Sequence, residues 1–355
     1  MNMKFDPKEI ENAKVEQGRR LMIEFDSPIT ARENFRLALE HKQLWMPMTG
    51  DKMNFTPEIV PDNTARALVT QAKPYEGPKG GLDMFGVYWE YIPSANGSIV
   101  RPGNPTLTDI TKWREVVKFP DVDSWDWEKS AREDREFLAN STRLQLFCIL
   151  TGFFERLIAF MDFGPAAYAL MNRKTKQDVK DFMDAIADLW IDVADHVHKY
   201  YGNLVDGITI HDDWGAQDGP FFNERVVREM LVPYMRKVTD HIHSLGYITN
   251  LHSCGKVEKL LPCMIEAGWD CWDGMAINDY HMLHEQYGDK IIMNVPGTEC
   301  PAGSDAETQR ACAAKFADDF AIRDKPAALS NYDNPGIDFD FELYKLSREK
   351  FSAEM

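Results

Sequence analysis

Several things are missing from this chain, and each absence removes a class of protein. No apolar run approaches the ~20 residues that a membrane-spanning helix needs, and the N-terminus has no apolar segment of the signal-peptide kind. The six cysteines, Cys148, Cys254, Cys263, Cys271, Cys300 and Cys312, do not have the close spacing of a small disulfide framework, so free thiols in a reducing cytoplasm are expected. There is no basic cluster. With 57 acidic against 40 basic residues the formal net charge is −17, which repels nucleic acid and anionic membranes alike. G-x-S-x-G, G-x-G-x-x-G and Walker patterns are all lacking, so serine-hydrolase, dinucleotide and P-loop readings have no support; Lys79-Gly80-Gly81 is too short to cradle a phosphate. No internal repeat or low-complexity stretch is visible.

What remains is an ordinary globular composition, 44% hydrophobic and 27% charged over 355 residues, enough for one large α/β domain or two smaller ones. The organisation expected is an N-terminal helical arm over 1–28, then a single domain over 29–355 with a proline-rich, loop-rich insertion at 45–130. Thr30 with Glu33 three residues on predicts a capped helix start. Within the insertion, Val87–Ile92 reads as a strand.

From about residue 145 the rhythm becomes strand, loop, helix. Strands are expected at 144–150, 207–211, 247–252, 271–277, 290–295 and 327–330. Helices are expected at 177–201, at 223–245 with a kink at Pro233, at 257–267, near 282–287, at 306–320 and at the C-terminus. Apolar strands alternating with helices indicate βα units on a parallel sheet. Their number favours a distorted (β/α)8 TIM-type barrel, α/β in class, over an open sheet.

In such a fold chemistry gathers at the C-terminal ends of the strands. Five successive expected strand ends carry ligand or acid/base groups: His211-Asp212-Asp213-Trp214 with Gln217, His252-Ser253-Cys254-Gly255, Asn278-Asp279, Thr298-Glu299-Cys300, and Ser330-Asn331-Tyr332-Asp333. His252 and Cys254 stand two apart, so on a strand they project to the same side, and an imidazole with a thiol suits zinc. The alternative for such a pair is a hydrogen-bonded core histidine beside an ordinary buried thiol. Two ligands do not complete a zinc site; Glu299, Cys300, His211, Asp212 and Asp213 are the candidates for the rest, and the sequence does not choose among them. Of Asp212 and Asp213, one should face inward because neighbours alternate. His196, His198, His241 and His243 fall on expected helices and are read as solvent-facing.

Four stretches resemble the uroporphyrinogen decarboxylase superfamily and, within it, its corrinoid-dependent methyltransferase branch. They are residues 32–43, 83–91, 211–217, and 252–255 with 260–268. The resemblance implies a distorted (β/α)8 barrel. The decarboxylases carry an arginine-rich motif that neutralises the porphyrinogen carboxylates, and this chain has Leu44–Met53 without arginine in that place. The methyltransferase branch holds zinc with a His-x-Cys pair and a distant cysteine. His252 and Cys254 match the pair, whereas Ser330-Asn331-Tyr332 stands where the distant cysteine belongs, so Glu299 or Cys300 would have to substitute.

The implied activity is transfer of a methyl group from a small methylated donor, a methoxylated aromatic, to the cobalt of a corrinoid-binding partner protein by zinc-assisted O-demethylation. Asp212 and Glu299 are the acid/base candidates. His211, Trp214, Gln217, Asn278, Asn331 and Tyr332 are candidates for binding substrate, and His252, Cys254 and Glu299 for binding metal. The alternatives are a thiol-accepting methylcobamide methyltransferase and a metal-free decarboxylase.

Overall fold

The computed structural model describes residues 4–17, 21–48, 50–330 and 335–354. Asn331 and Tyr332 therefore lie outside the described residues. The chain divides into two compact units: one comprises 1–53, 142–144 and 270–355, the other 54–141 and 145–269.

In the second unit, the strands Leu144–Ile149, Gly207–His211 and Ile248–His252 run parallel in one ladder, with Ile149 opposite Ile210 and His211 opposite His252. Every strand residue is buried except the two histidines at the ends. Strands buried along their whole length in this way belong to a sheet covered on both faces. The 26-residue helix Lys176–Tyr201 supplies one cover, burying Val179, Phe182, Met183, Ile186, Trp190, Val193 and Val197 on one stripe. His196 is buried with that stripe, against the solvent-facing expectation, because its ring stacks on Trp127 and its nitrogens reach Asp192 and Asp123.

The helix expected at 223–245 is two helices, Glu224–Met230 and Val232–Ser244, parted at Leu231. Pro233 cannot donate the backbone bond that a continuous helix would need, but it is well accommodated in the first turn of a new one. The loop-rich insertion contains an antiparallel three-stranded sheet, Gly81–Leu82, Tyr88–Ile92 and Gly97–Ile99, and the helix Trp127–Ala139. Trp89, Trp113 and Trp127 are buried there.

In the first unit, Cys271–Asp273, Ile292–Val295 and Ala327–Leu329 form a second parallel ladder, covered by the helices Ala306–Phe320 and Ile337–Ala353. The strand expected to reach Ile277 stops at Asp273, before Gly274. The N-terminal segment is not a helical arm. After one short helix, Lys8–Glu11, it pairs Lys14–Gln17 with Leu21–Glu24 as an antiparallel hairpin. Ile23 is buried, so alternation prevails over the weak helical pattern. Glu9 anchors the segment through its ion pair with buried Arg348. The capped start at Thr30 is present as a reciprocal capping box with Glu33.

Asp51 is buried in this unit, accepting from Met48 N at 2.8 Å and Trp45 Nε1 at 3.3 Å. Burial pushes its carboxyl up to about 6. The folded value then exceeds the unfolded one, so the contribution to stability is full below the unfolded value and lost as pH rises through about 6. Asp51→Asn keeps an acceptor oxygen and removes that loss. The variant should unfold at higher urea than the wild type at about pH 8, by up to ~3 kcal/mol, with the gain shrinking towards about pH 5. A gain independent of pH would refute this account.

Candidate metal centre

Two parallel strands ending side by side bring His211 and His252 into register, and their rings stack with centroids 4.5 Å apart and planes 24° from parallel. Among the described residues, one group of three or more His, Cys, Asp or Glu side chains has donor atoms close enough to share a metal ion: His211, Asp213 and His252, all within 4.8 Å of one another. Asp213 Oδ1 lies 4.0 Å from Nε2 of each histidine. Cys254 stands beside this group, its Sγ 3.2 Å from His252 Nε2, without being one of the three donors that all lie within reach of one another. The backbone N–H of Cys254 donates to Asp213 Oδ1 at 2.7 Å, which joins the two strand ends. The three side chains of the group are 14–29% exposed, open enough for an ion to reach them.

The tautomer of His211 is set from behind. Its Nδ1 meets Glu155 Oε2 at 2.6 Å, so the proton sits there and the Nε2 lone pair faces Asp213. Glu155 is in turn held by Arg66 at 3.4 Å, and Arg66 also donates to Leu150 O and Thr151. Burial and the Arg66 charge lower His211 to about 4, opposed by Asp213, and burial raises Glu155. A neutral imidazole backed by a carboxylate is the arrangement found behind metal-ligating histidines. Cys254 is pushed up to about 12 by burial and by the charges of Asp213 and Glu155, so its thiol keeps its proton unless a cation displaces it.

Asp212 does something different from its neighbour. It is fully buried: Oδ1 accepts from Phe153 N and Glu155 N, both at 2.9 Å, and Oδ2 from Trp214 Nε1 at 2.7 Å. It thus clasps the start of the helix Phe154–Met161, where a carboxylate is favoured. Burial, with Glu155 nearby, raises it to about 7 against these hydrogen bonds. Asp213 is therefore the member of the pair that joins the donor group. Trp214 is fully buried against Asp212, and its backbone N–H donates to Ser253 Oγ at 3.1 Å. Gln217 is exposed on the loop that follows. Gly255 has φ +93°, and a Cβ there would fall on the backbone of Gly215, so the turn after Cys254 requires glycine.

Glu299 and Asn278 belong to the first unit. Glu299 is paired with His281 and Lys315, each at 2.5 Å, and these partners lower its carboxyl, Lys315 first. Asn278 is buried and donates to Met275 O. Sequence reasoning missed Glu155 and Arg66. Glu155 lies just past the end of the Leu144–Ile149 strand, so extending the strand-end reading back by one strand would have found it. Arg66 follows the short helix Pro61–Ala65 and carries no local signal.

Parallel βα units with a polar donor group at adjacent strand ends place the chain among α/β proteins of the (β/α)8 type. Residues 158–291 match the family described as Uroporphyrinogen decarboxylase (URO-D), which bears out the resemblance to that superfamily. Among curated proteins, none matches this chain. Among solved structures, the chain is similar to a methyltransferase from Methanosarcina mazei at 15% identity and a TM-score of 0.63, over 91% of this chain and 99% of that one. At that identity the likeness shows the fold, a distorted (β/α)8 barrel.

Proposed function

We propose that the chain is a methyltransferase that moves a methyl group from a methoxylated aromatic donor to the cobalt of a partner corrinoid protein, with zinc assisting at the strand-end group. The carrying observation is the convergence of His211, Asp213 and His252 on one place, with Cys254 beside His252. The superfamily match and the fold shared with a methyltransferase support the reading. Two imidazoles and a carboxylate within 4.8 Å of one another, with the Cys254 thiol beside His252, are donors of the kinds that zinc takes, and three of them leave a position open for a substrate oxygen. Asp213 and His211 would then stand in for the distant cysteine of the methyltransferase branch, in the role that the sequence left open among five residues. Bound there, zinc supplies Lewis acidity to an ether oxygen. Nitrogen and carboxylate donors in place of a second thiolate leave it a stronger Lewis acid, which favours O-demethylation over thiol activation.

The chain's own residues do the remaining work. Glu155 keeps the His211 proton on Nδ1, and Arg66 keeps Glu155 in place. The Cys254 N–H fixes the Asp213 carboxylate. Phe154, Phe221, Phe222 and Phe163 form an aromatic cluster whose paired ring centroids are 4.7–6.3 Å apart. The backbone N–H of Phe221 is tied to Trp214 O, which holds this cluster to the strand-end loop and suits a flat aromatic donor.

The test is metal analysis of protein purified without added metal, paired with methyl transfer from a panel of methoxyarenes to a Co(I) corrinoid. We expect roughly one zinc per chain, lost in both His252→Ala and Cys254→Ala together with transfer. Active protein without zinc would overturn the metal's role. Transfer from methylcorrinoid to thiols in place of demethylation would shift the assignment to the thiol-accepting branch, and carbon dioxide release without zinc to a decarboxylase.

A further inference from the structure

The first unit contains a second pair of sulfurs that the proposed activity does not use. Cys300 lies in the turn after the strand Ile292–Val295, and Cys312 on the helix Ala306–Phe320. Both line one cavity of about 60 Å³ with Gly297, Glu299, Lys315 and Phe316. The two thiols share this small cavity, where Cys312 helps to raise the Cys300 thiol, and both are free. Their surroundings differ. Cys300 is 5% exposed, whereas Cys312 is partly open to solvent. Lys315 follows Cys312 by three residues, so its ammonium is on the same helix face, close enough for the two charges to interact. Two sulfurs alone do not make a metal site. Among the described residues no third His, Cys, Asp or Glu joins them in a group able to share an ion.

We propose that Cys300 and Cys312 form a reversible redox site that a small-molecule disulfide of the glutathione type converts to an intramolecular disulfide. The roles follow from exposure. The Cys312 thiolate, reachable from solvent and beside an ammonium, attacks one sulfur of the small disulfide and releases one thiol. Cys300, whose thiol burial and the neighbouring sulfur push above its usual range, meets no outside reagent and acts second. It gives up its proton, displaces the second small thiol from Cys312 and closes the S–S bond. The protein loses two hydrogens and the small disulfide becomes two thiols. The cross-link ties the turn carrying Glu299 to the helix that supplies Lys315, two groups already ion-paired at 2.5 Å. Disulfides of this accessible kind, in a chain otherwise built with free thiols, are the transient and regulatory ones.

The experiment incubates the full chain with oxidised glutathione, blocks free thiols by alkylation and maps tryptic peptides. Trypsin separates the cysteines into peptides 291–310 and 311–315. The expected product is these two peptides joined, lighter than their sum by two hydrogens, and restored to free thiols by dithiothreitol. In Cys300→Ser the reaction should stop as a glutathione adduct on Cys312. A lasting adduct on wild-type Cys312, or alkylation of both cysteines after incubation, would overturn the proposal.

Discussion

Arg156→Met is expected to cost the second unit about 3–5 kcal/mol of stability, although the new side chain keeps an unbranched stem as far as the position of Nε and packs well in apolar surroundings. Arg156 is fully buried and divides its guanidinium between two buried carboxylates, Nη1 to Asp83 Oδ2 at 2.6 Å and Nη2 to Asp62. Asp83 in turn holds the N–H groups of Phe85 and Val87 and the indole of Trp89, which shapes the start of the three-stranded sheet. Burial already raises Asp62, with Arg156 opposing and Asp83 reinforcing. Without the arginine both carboxylates face desolvation and each other, and they must take protons to stay inside.

The sign of the pH effect follows. In the variant the folded value of Asp62 rises further above the unfolded one, so stability is lost as pH rises through it. The deficit measured by urea unfolding should therefore be larger at about pH 8 than at about pH 5. Adding Asp62→Asn and Asp83→Asn should recover part of it, since uncharged amides keep an acceptor without the charge. A deficit no larger than that of an exposed arginine would show that the triad is dispensable.

Both the fold class and the strand-end location of the candidate donor group were legible because they rest on alternation. Apolar strands separated by helix-period segments identify βα units wherever they occur, and the ladder registers His211 with His252 as the strand ends at 211 and 252 imply. Side-chain direction past a strand end was not legible. Asp212 and Asp213 leave the period of the strand at the turn, and hydrogen bonds from Phe153 and Glu155, distant in sequence, together with one from Trp214 decide which one is buried. The break at Leu231 and the hairpin at 14–24 show the same limit for backbone: one proline or one buried isoleucine outweighs a weak helical stripe. Glu155 and Arg66 escaped because they stand 56 and 145 residues from His211, and only the folded helix start brings them together.

That helix start motivates the remaining prediction. On the proposed zinc site, Glu155→Ala is expected to weaken zinc binding by roughly 10–100-fold while leaving the fold intact. The fold survives because the helix keeps both its clasps, Asp212 on its first N–H groups and Arg156 on Asp62 and Asp83. Zinc affinity falls because His211 loses the acceptor at 2.6 Å that holds its proton on Nδ1, and its ring is free to turn Nε2 away from Asp213. Glu155→Gln keeps an acceptor oxygen but not the charge, so its loss should be smaller. Competition with a chelator of known affinity, read beside the melting temperature, separates a binding loss from a folding loss. His211→Ala should lose at least as much as Glu155→Ala, and the double variant no more than His211→Ala alone, because Glu155 acts only through that ring. If Glu155→Ala bound zinc as tightly as the wild type, His211 would drop out of the donor set. Asp213, His252 and Cys254 would remain, the three protein ligands that leave a catalytic zinc one open position for a substrate oxygen.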